Sequence, residues 1–393
     1  MWSRRFLSQF DFFLFLAVVI LALIGALGIY NASAGDGNYS LFARHLLWVG
    51  LGVAVCLFIT SIDYHFLTDH AFLLYGLTTL LLLGILVFGT EVNGSKSWFA
   101  IGPFSFQPSE ITKVVLILVL ARYLSEISGS YLQHRHLFTL GALTLCPMIL
   151  ITLQGDLGTA LMYIPILFGV VMVAGLRIRV LIGILMVALC VAPLGWFFLK
   201  DYQKERILVT LDPGRDPLGI GYQSRQSQIA IGSGGLFGKG LGQGLQSQLG
   251  FVPEIHTDFI FAILAEEIGF VGSISMLMLY LLVLMRLVQI AESARDRVGI
   301  LLITGVTSFI FFHVAMNVSM TLGIMPPIGI PLPLLSYGGS STITTFAALG
   351  LALNVHQRRF VYSPTSAPTR VPHDPTCKLP SSNTIIAKYL QVR

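Results

Sequence analysis

A chain of 393 residues, 55% hydrophobic and only 11% charged, falls outside the ordinary water-soluble class, in which about 25% of residues are charged. Its mean hydropathy of +0.80 makes lipid the expected solvent. The formal charge of +5 implies no nucleic-acid partner, because basic residues facing anionic inner-leaflet lipid account for it.

Charge-free runs set out the helices in chain order. Residues 12–35, 46–62, 71–90, 137–155, 157–176, 180–199 and 268–285 each approach the ~20 residues an α-helix needs to cross hydrocarbon. A further span, roughly 107–125, carries Glu110 and Lys113. Residues 298–357 hold no Lys, Arg, Asp or Glu, and Pro326, Pro327, Pro331 and Pro333 divide them into two spans. The expected fold class is therefore an all-α integral membrane protein of about ten transmembrane helices, with a long extracytoplasmic loop (200–257) between helices 7 and 8. A β-barrel would alternate over ~10-residue segments instead. The first run is too long for a signal-peptide core and lacks a small-residue cleavage site, so it reads as a retained helix. Residues 1–360 form the expected polytopic domain. Residues 361–393 are proline-rich without an apolar span and read as a disordered cytoplasmic tail.

Orientation follows from Lys and Arg. With the N-terminus inside, 15 of them fall on cytoplasmic segments, while the short outer loops hold 2, Arg44 and Lys96. The long loop carries more, but long loops translocate largely regardless of charge. Both termini are expected in the cytoplasm and the long loop outside. Cys56, Cys146 and Cys190 fall inside apolar helices, where packing is the expected role, and Cys377 lies in the tail. They suggest no disulfide framework.

Polar chemistry collects in four stretches. In "NGSKSWFAIGPFSFQPSEITK" (93–113), an outer loop leads into the fourth helix. Pro108 suits a first helical turn, and Glu110 and Lys113 share a helix face at i, i+3. They read either as a structural ion pair or as a cavity pair in which Lys113 neutralises an anionic ligand. In "QGDLGTA" (154–160), Asp156 sits between glycines and apolar runs, as a cap, a turn or a site residue. The glycine-rich loop ends in "PEIHTDFIFAILAEEIG" (253–269). Lys239 is followed by Gly240 rather than Ser or Thr, and no GxGxxG is in register, so nucleotide binding is rejected. Its spaced apolar residues argue for short re-entrant or interfacial helices. Asp258 enters the next helix as an N-cap or a catalytic base. Glu266 and Glu267, two turns on, read as ties to neighbouring helices. In "GIMPPIGIPLPLLSYGGSS" (323–341), prolines break the chain before Ser336 and Tyr337. Irregular backbone at this depth belongs against protein or a wet cavity. His256 and the acids lack metal-ligand spacing, so no protein metal site is expected, and His313 reads as a packing residue.

Together, in this order, these stretches resemble the SEDS (shape, elongation, division and sporulation) family of bacterial peptidoglycan polymerases over residues 10 to 358. "DPLGIGYQSRQSQIAIGSGG" and "GIPLPLLSYGGSS" look like the RodA-like elongation branch more than the FtsW-like division branch. Gly155 stands where the family usually has proline. The resemblance implies inverting glycosyl transfer on lipid II, with undecaprenyl diphosphate as leaving group, in the bacterial inner membrane, with the site facing outside. It implies Asp258 as the catalytic aspartate. Glu110, Lys113 and Asp156 match cavity residues and Trp98 matches a loop tryptophan. His256, Ser336 and Tyr337 complete the expected substrate-binding set. Expected partners are the growing glycan strand, a class B penicillin-binding protein and other elongation-complex membrane proteins. A divalent cation, Mg2+ or Mn2+, is an expectation at the diphosphate. The alternatives are a lipid II flippase or transporter without chemistry, and a division-type polymerase.

Overall fold

A computed structural model describes residues 9–34, 39–92, 94–101, 104–127, 132–195, 197, 201–211, 219–244 and 256–359. The chain divides into two units, Met1–Arg359 and Phe360–Arg393, and the helices and the site belong to the first. The expected tail (361–393) lies outside the described residues, as do 200, 212–218 and 245–255 of the expected long loop.

The apolar runs are helices. In chain order they are α1 (Phe12–Ala34), α2 (Ser40–Ser61), the short α3 (Tyr64–Asp69) and α4 (Ala71–Phe88). Then come α5 (Pro108–Ser125), α6 (His134–Leu153), α7 (Leu157–Leu161), α8 (Tyr163–Val173) and α9 (Ile178–Gly195). Last are α10 (Asp201–Leu211), α11 (Ile220–Ser233), α12 (Ile260–Ser293), α13 (Arg297–Thr321) and α14 (Gly339–Arg358). Among the described residues, 6 helices are long and apolar enough to cross a membrane by length and composition. The expected span 157–176 is broken at Met162 into α7 and α8.

Packing is organised around α5. It is buried on every side, from Thr112 through Ala121, which marks a helix in the middle of a bundle. α13 and α4 lie against it, α8 and α12 lie against α13, and α14 runs along α2. Outer helices keep apolar faces exposed, as at Leu80, Val87 and Phe88 on α4, where lipid replaces protein as neighbour. Cys56 is buried, as a packing role requires, but Cys146 and Cys190 are exposed on helix surfaces.

Two segments expected as loops have structure. Three strands, β1 (Thr90–Val92), β2 (Ser95–Ile101) and β3 (Phe104–Phe106), form an antiparallel sheet in the order β1-β2-β3. Val92 pairs with Ser95 across a two-residue connection ending in Gly94 at φ 80°. The sequence there is Asn-Gly, the strongest short-range hairpin signal. The amide of Lys96 donates to the Gln154 carbonyl (2.9 Å), fastening the hairpin to the end of α6.

The region 200–257 is not one long loop. It contains α10 and α11; of its spaced apolar residues Ile229 and Ile231 lie on α11, whereas Leu236, Phe237 and Leu241 lie in a non-helical segment. α11 docks through Ser227 Oγ to the Thr321 carbonyl at 2.8 Å. Residues 234–244 then strap across α12 where that helix kinks at Gly269, φ 69°. The kink opens the helical ladder, and backbone of the strap refills it. Lys239 and Gly240 amides donate to the carbonyls of Glu266 and Glu267 (both 3.0 Å), and Phe270 and Val271 amides donate back to Gly235 (2.9 Å) and Leu236 (3.0 Å). Irregular backbone is tolerated at such a place because protein satisfies it. A Cβ at Gly269 would lie 2.2 Å from the Gly238 nitrogen, so the crossing admits no side chain.

Candidate active site

Pro108 opens α5 at its first turn, with Glu110 in that turn, where the helix dipole favours a carboxylate. Lys113, one turn on, donates to Glu110 Oε1 at 2.7 Å. Both side chains are almost fully buried, at 1% exposure for the lysine and 4% for the glutamate. Lys113 Nζ also lies 3.0 Å from His313 Nε2 on α13, and His313 Nδ1 lies 2.8 Å from the Phe309 carbonyl.

Asp156 caps α7. Its Oδ1 accepts from the Thr159 amide (3.0 Å) and its Oδ2 from the Thr159 hydroxyl (2.8 Å) and from Gln107 Nε2 (2.9 Å). Gln107 immediately precedes α5, so this contact joins two helix N-termini. Gly158 permits the close approach of α7 to the proline-rich segment: a Cβ there would meet the Ile328 carbonyl at 2.1 Å.

Asp258 lies in the turn before α12. The cap position is Phe259, which makes no side-chain cap, so Asp258 stands one residue before the N-cap. Asn317 of α13 holds the turn by donating to the carbonyls of Asp258 (2.8 Å) and Ile330 (2.7 Å). The amide of Tyr337 donates to the His256 carbonyl at 2.8 Å. Two broken segments, 256–259 and 326–337, are thus stitched side by side.

Between these elements is a cavity of about 1060 Å³ whose wall includes Glu110, Asp156, Asp258, Trp98, Tyr337 and two arginines, Arg44 and Arg206. That volume is at the upper end for small-molecule sites. The cavity sits where α2, α5, α7, α12 and α14 begin and α13 ends, at one end of the bundle.

The FtsW/RodA/SpoVE cell cycle protein family matches residues 7–360. The chain belongs to this family. It is 39% identical over 351 residues to the peptidoglycan glycosyltransferase MrdB of Escherichia coli (strain K12), covering 88% of this chain and 94% of the relative. A chain from a solved peptidoglycan synthase complex, described as coordinating polymerization and crosslinking, superposes with a TM-score of 0.77 at 36% identity, over 89% of this chain and 98% of that one. The crystal structure of the rod shape determining protein RodA of Thermus thermophilus matches with a TM-score of 0.67 at 33% identity, over 89% and 98% of the two chains.

Within this member of the family, five of the residues singled out in the sequence meet on the cavity wall: Trp98, Glu110, Asp156, Asp258 and Tyr337. Three do not reach it. Lys113 is buried one layer behind, between Glu110 and His313. Ser336 is buried with its hydroxyl accepting from the Leu332 amide at 2.7 Å, closing the proline-rich turn. His256 enters through its carbonyl, as the partner of Tyr337. Arg44, Arg206 and Gln107 are wall residues that sequence motifs alone do not single out. One signal was present: Arg44 is one of the two cations in the short outer segments, against the positive-inside trend.

Glu266 and Glu267 do tie neighbouring elements together. Lys239 donates to Glu266 Oε1 at 2.6 Å. Asn31 of α1 and the Gly242 amide donate to Glu267 at 2.7 and 3.1 Å. Neither carboxylate lines the cavity.

Proposed function

We infer that this chain is a peptidoglycan glycosyltransferase that polymerises lipid II into glycan strands during cell elongation. The observation that carries the reading is the composition of one cavity wall. It combines carboxylates able to take a proton with arginines able to hold a diphosphate, in a membrane protein of the FtsW/RodA/SpoVE family.

In the reaction a sugar hydroxyl attacks the anomeric carbon that carries the lipid diphosphate. The new glycosidic C–O bond forms, the C–O bond to the diphosphate breaks, and undecaprenyl diphosphate leaves with the electron pair. The hydroxyl proton passes to Asp258, the general base. Diphosphate is already a good leaving group, so orientation and charge stabilisation supply most of the remaining catalysis. Arg44 and Arg206 are the wall cations suited to the diphosphate, since guanidinium forks match phosphate oxygens. Asp156, saturated by Thr159 and Gln107, holds the broken segments in register. A divalent cation at the diphosphate would be held by phosphate oxygens and waters with one or two carboxylates of this wall; among the described residues no three His, Cys, Asp or Glu side chains lie close enough to hold one without the substrate. No step here is routed through a metal.

The same reading places both termini in the cytoplasm and the cavity at the outer face, with a class B penicillin-binding protein as the crosslinking partner. Thiol labelling tests the sides. In a cysteine-free background, Ser233→Cys should react with an impermeant thiol reagent from outside and Ser128→Cys only after permeabilisation. The reverse pattern would invert the assignment.

The activity is tested with purified protein, its penicillin-binding partner and labelled lipid II. Wild type should produce glycan chains, and Asp258→Asn should lower the rate by roughly 10²–10⁴-fold, the range for a lost general base, while still binding lipid II. Near wild-type polymerisation by Asp258→Asn would move the base elsewhere. Transport of lipid II without glycan product would favour the flippase alternative.

A further inference from the structure

His313 reads in the sequence as a packing residue, yet it completes a row of three buried polar groups that ends at the cavity. Glu110 lines the cavity. Its Oε1 accepts from Lys113, and its Oε2 is buried without a protein partner. Lys113 Nζ is shared between Glu110 Oε1 and His313 Nε2, at 2.7 and 3.0 Å.

The chemistry of each atom fixes the roles. A backbone carbonyl only accepts, so His313 Nδ1, 2.8 Å from the Phe309 carbonyl, carries the proton. An ammonium only donates, so Nε2 presents its lone pair to Lys113. His313 is therefore a neutral imidazole anchored by its own helix, and it grips Lys113 without competing for its charge.

We infer that His313 is a positioning residue of the glycosyl-transfer site. By fixing Lys113 it holds the Glu110 carboxylate in place at the cavity wall, as an acceptor for a donor on the bound sugar, a hydroxyl or an acetamido N–H. The inference rests on the glycosyltransferase reading and deepens it. A carboxylate on the wall attracts donors and repels phosphate, so the sugar ring lies at Glu110 and the diphosphate lies toward Arg44 and Arg206. Lys113 acts on the sugar through Glu110 and does not hold the diphosphate directly.

Two measurements on the full chain in detergent test this. The first is polymerisation of labelled lipid II with the penicillin-binding partner present. His313→Leu should lower kcat/KM on the order of 10- to 100-fold, as for one lost charge-assisted hydrogen bond. His313→Gln, whose amide can accept from Lys113 and donate to the Phe309 carbonyl, should recover most of the loss. Glu110→Gln combined with His313→Leu should be no worse than Glu110→Gln alone, because both act through the one carboxylate. Multiplying losses, or a Gln variant as damaged as the Leu variant, would overturn the proposal. The second measurement needs no activity: ¹⁵N-histidine NMR should assign His313 as the neutral Nδ1–H form, with its Nε2 resonance moved by Lys113→Met. A charged ring, or an Nε2 unaffected by Lys113→Met, would overturn it even in variants that fold poorly. A wild-type protein that makes no glycan would remove the glycosyltransferase reading, while the NMR result would still decide the His313–Lys113 contact.

Discussion

Two Lys–Glu pairs lie at nearly equal distances, 2.7 Å for Lys113–Glu110 and 2.6 Å for Lys239–Glu266, and they do different things. The first joins residues on one helix, both sealed from solvent, with its carboxylate on the cavity wall. The second joins the strap to the kinked helix. There the carboxylate is fully buried but the lysine is 27% exposed, and neither side chain reaches the cavity. An ion pair serves the reaction when its acceptor is presented to a substrate, and serves the fold when it closes a gap between segments. Length and burial of the carboxylate do not distinguish them.

The comparison should break most visibly at Lys113. Lys113→Met strands Glu110 as a buried charge, and removing one partner of a buried pair costs about 3–5 kcal/mol. Thermal unfolding in detergent should register that loss together with loss of glycan synthesis. Adding Glu110→Leu should restore much of the stability, because apolar replacement of a whole buried pair is often neutral or better, and should leave polymerisation lost. A double variant that folds and polymerises normally would make the Lys113–Glu110 pair structural, like its counterpart.

Lys239→Met should cost less, about 1–3 kcal/mol, because water reaches the exposed lysine end and can solvate Glu266 in its place. Polymerisation per folded molecule should be unchanged. A selective loss of activity without a change in unfolding temperature would give the strap a role in the reaction.

The smallest effect belongs to a pair open to water, Arg358–Asp63, 3.4 Å apart, between the end of α14 and the N-cap of α3. Burial pushes the Asp63 carboxyl upward. Hydrogen bonds from the His65 amide and ring, together with Arg358, outweigh it and hold Asp63 below its ordinary value of 3.8. A depressed carboxylate contributes its stability above the unfolded value and loses it as pH falls through the folded one. Unfolding followed below about pH 4 should therefore decline more steeply for wild type than for Asp63→Asn, with the two slopes alike near neutrality. Parallel slopes throughout would mean that the pair adds nothing, as many exposed pairs do.

Much of this protein is legible in one dimension. Apolar runs specify spans because hydrocarbon thickness sets their length, and the helices appear where those runs lie. Pro108 at the start of α5, Asp156 as a cap and the Glu110–Lys113 pairing follow from local geometry within a turn or two. The Asn-Gly hairpin is equally local, but it lies in a segment whose polarity is its more conspicuous feature. What sequence could not decide was which side chains face one another across the bundle. Arg44 and Arg206 are 162 positions apart and share a wall only because α2 and α10 both border the cavity. Lys113 reads in sequence as a structural or a cavity residue; it lies off the cavity wall, against His313 of α13. Helix periodicity tells which residues share a face, whereas the rotation of that face toward cavity, neighbour or lipid is set by packing against helices distant in sequence. Tertiary structure alone made that choice, and with it decided which charges meet a substrate and which hold the fold.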